Sequence, residues 1–418
     1  MAAPQLFDAL SDAALPQMER FNAQDLGNTA WACAKNDKCD PRLMRAIEAQ
    51  ACRTMRRLEP QNLSNLVWSF ATAGIAAPNL FRAVAENVVK DGRRNTPRWR
   101  RYNAQALANI VWSYATAKHD DPQLFEVIGN AAMKCFADFD TQNLANLAWS
   151  YATVERATPE LFAALAHASL ERMGDFVAQA LASTAWAYAK AGIKAPALFR
   201  SIAIQAQSKL ANFNHQALAN IAWAFAAAEV DAPRLYDEIA ESVVTRLDHF
   251  NSQDLANLCQ AYSSVRRSAP KLFDFIAETA VTRGLAAFNA QDLANTAFAF
   301  GTAGHQAPVL FAEIEKAAPR EMDHCTGQGI VNTCRRGVDF VFASMALCSR
   351  ETTRQLVHTG SGPFASWASR PRHSSTPPPR PCPRTSTRFQ QMWRRRRSST
   401  RCSCSCRSNA RTRGYCPS

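Results

Sequence analysis

Three markers recur along this chain in one register, and that register excludes most folds before any propensity is counted. A glutamine stands at Gln24, Gln61, Gln105, Gln142, Gln179, Gln216, Gln253 and Gln291, in steps of 37, 44, 37, 37, 37, 37 and 38 residues. Seven positions further on come Trp31, Trp68, Trp112, Trp149, Trp186 and Trp223, then Gln260 and Phe298. Seventeen after the glutamine comes a proline: Pro41, Pro78, Pro122, Pro159, Pro196, Pro233, Pro270 and Pro308. A period of this length marks a solenoid, in which each unit buries its apolar face only against its neighbours.

Each unit reads as two helices. Asn22, Asn103, Asp140, Asn214, Asn251 and Asn289 occupy a place where a short polar side chain caps the first helix. The apolar residue before the cap (Phe21, Tyr102, Phe139, Phe250) and the leucine five residues on (Leu26, Leu107, Leu144, Leu255) have hydrophobic-staple spacing. The proline opens the second helix, where a missing N–H costs nothing. Leu80, Phe81 and Val84, or Leu124, Phe125 and Ile128, then share one helical face. The expected fold is all-α: a right-handed-type α-solenoid superhelix of about eight two-helix repeats, followed by a disordered C-terminal tail.

The domain reading follows from the same register. Residues 1–20 form the trailing half of an earlier unit, since Pro4 lies 37 before Pro41. The array spans 21–324, with the long step taken up by an insertion near 91–100. Residues 325–333 begin a truncated ninth unit, with Gln328 lying 37 beyond Gln291. Residues 334–418 are rich in Arg, Ser and Pro and cannot bury a core. Arg394–Arg397 has the composition of a nuclear-import or nucleic-acid patch, but the abrupt change after Thr333 is what a shifted reading frame produces. No function is assigned to this tail.

Within the first helix one stripe is polar. Counted from the glutamine, positions +1, +4, +8 and +11 fall on one face, as in Asn62, Asn65, Ser69 and Thr72. Position +4 is nearly constant: Asn28, Asn65, Asn109, Asn146, Ser183, Asn220, Asn257 and Asn295. Position +1 varies: Asp25, Asn62, Ala106, Asn143, Ala180, Ala217, Asp254 and Asp292. Two readings stand open. The stripe is an asparagine ladder linking neighbouring helices, or a ligand surface with one reader per unit. The tryptophans are expected to be core filler.

Charge bears on the choice. The net +13 arises in the tail, where 17 Arg face two acids, so residues 1–333 carry −2. A near-neutral array has a weak electrostatic footprint for an RNA binder. Its basic aromatic segment is the insertion, with Arg94, Arg98 and Trp99 as candidate phosphate and base contacts. No run of about 18 apolar residues suggests a membrane span. Cys33, Cys39, Cys52, Cys135, Cys259 and Cys325 lack metal-ligand spacing and read as reduced thiols in helices. Histidines share no place in the unit and no phosphate-binding loop is visible, so neither an enzyme nor a cofactor or metal site is expected.

The phrase F-N-x-Q-x-L-A-N-x-A-W-[AS]-[YF]-A followed by A-P-x-L-F, its two parts matched in full for example at Phe213–Ala226 and Ala195–Phe199, resembles the helical repeats of organellar RNA-binding proteins. These include octotricopeptide-repeat chloroplast factors, the leucine-rich arrays of FAST-kinase-like proteins, and a repeat subunit of the kinetoplastid RNA-editing substrate-binding complex. The resemblance covers residues 1–333. It implies binding of single-stranded organelle RNA in the mitochondrial matrix or chloroplast stroma, within an RNA-processing complex, acting on transcript processing, stability or translation. It implies no membrane and no small-molecule substrate. Family members often end in a small RAP domain, and nothing after Thr333 matches one. The candidate site is then the +1 and +4 columns: Asp25, Asn28, Asn62, Asn65, Asn109, Asn143, Asn146, Ser183, Asn220, Asp254, Asn257, Asp292 and Asn295, with Arg94, Arg98 and Trp99. The competing reading is an armadillo-like scaffold for extended peptides, which an uncharged groove with outward asparagines favours.

Overall fold

The computed structural model describes residues 4–37, 39–246 and 250–322. All regular structure among them is helical. After α1 (Pro4–Ala14), the α-helices come in pairs: α2 (Ala23–Lys35) with α3 (Pro41–Thr54), α4 (Pro60–Thr72) with α5 (Pro78–Arg93), and α6 (Ala104–Thr116) with α7 (Pro122–Ala132). The series continues with α8 (Thr141–Thr153) and α9 (Pro159–Glu171), α10 (Ala178–Ala191) and α11 (Pro196–Ser208), α12 (His215–Ala227) and α13 (Pro233–Val244). It ends with α14 (Ser252–Ser264) and α15 (Pro270–Arg283), then α16 (Ala290–Ala303) and α17 (Pro308–Met322). The expected ninth unit and the Arg-rich tail lie outside the described residues.

Capping explains where the first helices begin. The side chains of Asn103, Asp140, Asn214, Asn251 and Asn289 each accept the N–H three residues on, at 2.7–2.9 Å. Asn22 accepts from Gln24 and Asp25. The ends are equally regular. Thirteen residues after each glutamine the backbone turns left-handed, at Asp37, Gly74, Lys118, Glu155, Gly192, Glu229, Arg266 and Gly304. The next N–H then closes back on the helix, for example Arg156 on the Tyr151 carbonyl at 2.9 Å.

Two rows result. Each first helix packs along the next one, α2 on α4 and onward to α16, whereas the second helices touch more sparingly. Position +3 is small in every unit (Gly27, Ser64, Ala108, Ala145, Ala182, Ala219, Ala256, Ala294), which permits this close approach. A Cβ on Gly27 would already lie 3.8 Å from Asn62. The first-helix row is therefore the tighter side of the stack.

The core between the rows is filled by position +9, a place outside the three recurring markers. Tyr114, Tyr151, Tyr188 and Tyr262 are buried there beside Phe70, Phe225 and Phe300. From Tyr114 onward each ring meets an aromatic of the preceding second helix edge to face, as in Phe162–Tyr188 at 4.8 Å and Phe273–Phe300 at 4.9 Å. The tyrosines also donate their hydroxyls to the carbonyls beneath, Tyr151 to Phe125 and Tyr188 to Phe162 at 2.6 Å.

Short 3₁₀ turns join second helices to the next unit, as in Met55–Arg57, Phe136–Asp138 and Met173–Asp175. A cation just before it clamps the previous turn. Arg172 donates to the Phe139 carbonyl at 2.6 Å, Lys209 to Phe176 at 2.8 Å, Arg246 to Phe213 at 2.9 Å and Arg283 to Phe250 at 2.6 Å. No described helix is long and apolar enough to cross a membrane.

Candidate nucleic-acid interface

The solvent-facing stripe of the first-helix row is rotated from the one expected. Positions 0, +4, +7 and +11 share a sector of about 60° on a helix, and these are the residues left open to solvent. Gln61, Gln105, Gln142, Gln179 and Gln216 are exposed, while Asn65, Asn109, Asn146, Ser183, Asn220, Asn257 and Asn295 are half-buried. Asn28, at the start of the row, is exposed. Position +8 turns inward: Ser69, Ser113 and Ser150 are fully buried and donate to the carbonyls of Asn65, Asn109 and Asn146 at 2.6 Å.

Beyond Asp25, the variable +1 column is turned away from the open stripe. Asn143, Asp254 and Asp292 are buried, Asn62 is half-buried, and only Asp25 is exposed. These side chains close the helix starts instead. The N–H of Asn22 donates to Asp25 at 3.0 Å, that of Glu59 to Asn62 at 3.2 Å and that of Asn289 to Asp292 at 3.3 Å. The same column meets the neighbouring unit, with His215 Nδ1 2.9 Å from Asp254. Burial raises the Asp292 carboxyl above its ordinary range, against hydrogen bonds from Asn289 and Ser252 that lower it. Variation at +1 therefore follows packing between adjacent helix starts. Copy-to-copy change alone could not distinguish this from ligand reading.

The tryptophans are not core filler. Trp68, Trp112, Trp149, Trp186 and Trp223 are half-buried on the open stripe, and Trp31 is 46% exposed. The five form one continuous ladder with centroids 6.5, 6.5, 6.4 and 6.3 Å apart. Trp68 and Trp112 flank the long 44-residue step yet keep the same spacing as the other pairs. The insertion is absorbed entirely elsewhere: α5 runs on to Arg93 and a loop follows. The wording of the repeat contained the signal for this surface, since Gln, Asn and Trp at 0, +4 and +7 are its three most regular polar or amphipathic letters.

The asparagines do not form a ladder of mutual bonds. Among the described residues the +4 amide groups make no hydrogen bond, so each keeps donors and an acceptor free, in units one to six three residues before a tryptophan. In units two to six the stripe carries one charge, Lys190, which lies 3.8 Å from Glu155. The surface is an uncharged, aromatic and amide-rich band.

The insertion candidates divide. Arg98 occupies the clamp position: it donates to the Leu58 carbonyl and, at 2.9 Å, to Asn87, and pairs with buried Asp91 at 3.5 Å. It holds unit three onto unit two and is not free for phosphate. Trp99 begins the 3₁₀ turn, the place of Met55, Phe136 and Met173, and packs on Tyr102 at 5.0 Å and against Gly92. It is an anchor of the turn. Arg94 remains exposed and unpaired among the described residues. The cysteines Cys33, Cys39, Cys52, Cys135 and Cys259 are free, although Cys39 and Cys135 lie in turns and not in helices. No group of three or more metal-ligating side chains occurs among the described residues.

The repeat array coincides with a known family. A model described as RNA-editing substrate-binding complex 6 protein matches residues 20–318. No curated protein matches the chain significantly.

Proposed function

The chain belongs to the RNA-editing substrate-binding complex 6 protein family, and on that premise we propose that it is a non-enzymatic subunit of an RNA-editing assembly that holds single-stranded RNA along the Gln/Asn/Trp stripe. The observation that carries this reading is the ladder of half-open tryptophans flanked by unpaired amides. Aromatic faces hold unstacked bases at roughly 1–3 kcal/mol each, and amides meet base edges through paired donors and acceptors. The likeness of the repeats to organellar factors supports a mitochondrial setting for that RNA. Transcript processing is the step closest to the family's description; effects on stability or translation would follow from the same occupancy.

The test is a titration of the full chain with a fluorescein-labelled 20-nucleotide single-stranded RNA at low salt, read by anisotropy and by tryptophan fluorescence. Binding should quench the tryptophans, and Trp149→Ala with Trp186→Ala should weaken it at least tenfold with helicity retained. Absence of any anisotropy change with the wild-type chain would refute RNA binding.

One observation favours a second reading. The stripe is nearly uncharged, and an uncharged amide row suits the main chain of an extended peptide. If unlabelled extended peptides of the partner subunits quench the tryptophans and RNA does not, the stripe is a protein-docking groove within the same assembly.

A further inference from the structure

The near-neutrality of the array conceals a separation of charge. From residue 39 to residue 101, twelve Lys and Arg stand against five Asp and Glu. From 102 to 322 the balance reverses to sixteen against twenty-two. None of the positive charge in the first segment lies on α4, whose sequence has no ionisable residue. It lies on α3, α5 and the 3₁₀ turns, off the stripe.

Its placement keeps the repeat register. The turns Met55–Arg57 and Trp99–Arg101 both end in an arginine pair, Arg56-Arg57 and Arg100-Arg101. The same two places in later turns hold Ala137-Asp138, Gly174-Asp175, Ala211-Asn212 and Ala286-Ala287. Both arginine turns pack against α5, so they belong to one edge. Arg101 is held by Glu59 at 2.7 Å. Arg56, Arg57 and Arg100 are exposed and unpaired among the described residues, as are Lys90, Arg93 and Arg94 in the last turn of α5 and just after it. Gln61 and Gln105, the first residues of the stripe in units two and three, follow these arginine pairs by four positions.

We propose that this edge holds the phosphate backbone of the RNA whose bases lie on the stripe. The inference rests on the RNA reading above and supplies what the stripe lacks. An uncharged band reads bases but gives little attraction for a polyanion, whereas planar guanidinium forks match phosphate in charge and geometry. Repetition of the arginine pair in two successive units fits a polymer whose charge also repeats. The starts of α4 and α6 just beyond the pairs add the positive ends of their dipoles.

The experiment is the salt dependence of binding of the same labelled RNA, with wild-type chain and with Arg56→Gln, Arg57→Gln, Arg100→Gln combined. Each phosphate contact contributes a slope of about −0.7 in log K against log salt for single strands, so losing three contacts should flatten the slope by about 2. Affinity at low salt should drop by ~10-fold or more by the same release term. A control removing equal charge elsewhere (Lys194→Gln, Arg234→Gln, Lys271→Gln) should keep the wild-type slope. Circular dichroism checks that each variant is folded. An unchanged slope in the arginine variant, or equal flattening in the control, overturns the proposal while leaving RNA binding intact. Arginine-dependent binding of polyglutamate that leaves bound RNA in place would also overturn it, in favour of an acidic protein partner. Failure of the wild-type chain to bind RNA is a different result, which removes the reading on which this one rests.

Discussion

The Tyr151 hydroxyl donates to the backbone carbonyl of Phe125 at 2.6 Å, joining a first helix to the second helix of the unit before it. The bond recurs in Tyr188 with Phe162 and in Tyr262 with Tyr236, so the array is tied together at +9 and not at the tryptophans. Truncation should separate the two roles. Tyr151→Ala removes a buried ring and should cost about 3–5 kcal/mol, seen as a marked loss of Tm. Trp149→Ala, at a half-buried place, should cost clearly less in Tm and more in ligand binding. Equal loss of stability in the two variants would show that the tryptophan is core after all.

The cation clamp is absent at two junctions, where Thr54 and Cys135 take its place. Cys135 stands where Arg98, Arg172, Lys209 and Arg246 stand in other units, and its thiol turns back to the Ala131 carbonyl. Arg172→Ala leaves three carbonyls without their charged donor and should lower stability by roughly 1.5–3 kcal/mol, the range for hydrogen bonds to charged groups. Cys135→Arg should raise the denaturation midpoint by building the missing clamp onto Tyr102. A lower midpoint for Cys135→Arg would mean that the junction cannot accommodate it.

Five of the eight left-handed helix ends are not glycine. Glu229 at φ 55° and Lys118 at φ 57° carry a Cβ where Gly74, Gly192 and Gly304 carry none. Glu229→Gly and Lys118→Gly should each be neutral to stabilising, by up to about 1 kcal/mol, because relief of the left-handed strain opposes the entropy that glycine adds to the unfolded chain. Urea unfolding of each variant measures this directly, and a loss of more than 1 kcal/mol would contradict it.

Burial raises the Asp292 carboxyl, so its charged form is disfavoured in the folded chain. With the folded pKa above the unfolded one, the native state takes up the proton first, and the contribution to stability improves as pH falls through the folded pKa toward the unfolded value near 4. Above that window the penalty is fully present. Asp292→Asn retains an acceptor for the Asn289 N–H and should be more stable than wild type at pH 7, with the difference shrinking as pH falls toward the unfolded value near 4. The stabilities of the two chains, followed from pH 7 down to pH 4, should therefore converge; a gap that widens in acid would reverse the assignment.

Ser183 interrupts the asparagine column inside the tryptophan ladder, replacing a two-point amide with a single rotatable hydroxyl. Ser183→Asn should alter the preference of the chain at one position of an enriched RNA pool and leave the remainder unchanged. A shift spread over all positions, or none, would count against one unit meeting one nucleotide.

The amino-acid sequence by itself determined the number of units, their two-helix composition and their caps. The acceptors at Asn103, Asp140 and Asn289 and the prolines at helix starts act through bonds a few residues away, so local chemistry suffices to read them. It did not determine which face is open. The stripes 0/+4/+7/+11 and +1/+4/+8/+11 differ by a rotation smaller than one residue's step around the helix. What separates them is the neighbour against which +1 and +8 pack. Asp254 reads as a free polar residue until His215 of the preceding unit is beside it, and Trp149 reads as core until Tyr151 is seen to fill that space. Arg98 reads as a phosphate contact until the Leu58 carbonyl is in place. Each of these assignments depends on groups brought together from adjacent repeats, and only the tertiary structure supplies that proximity.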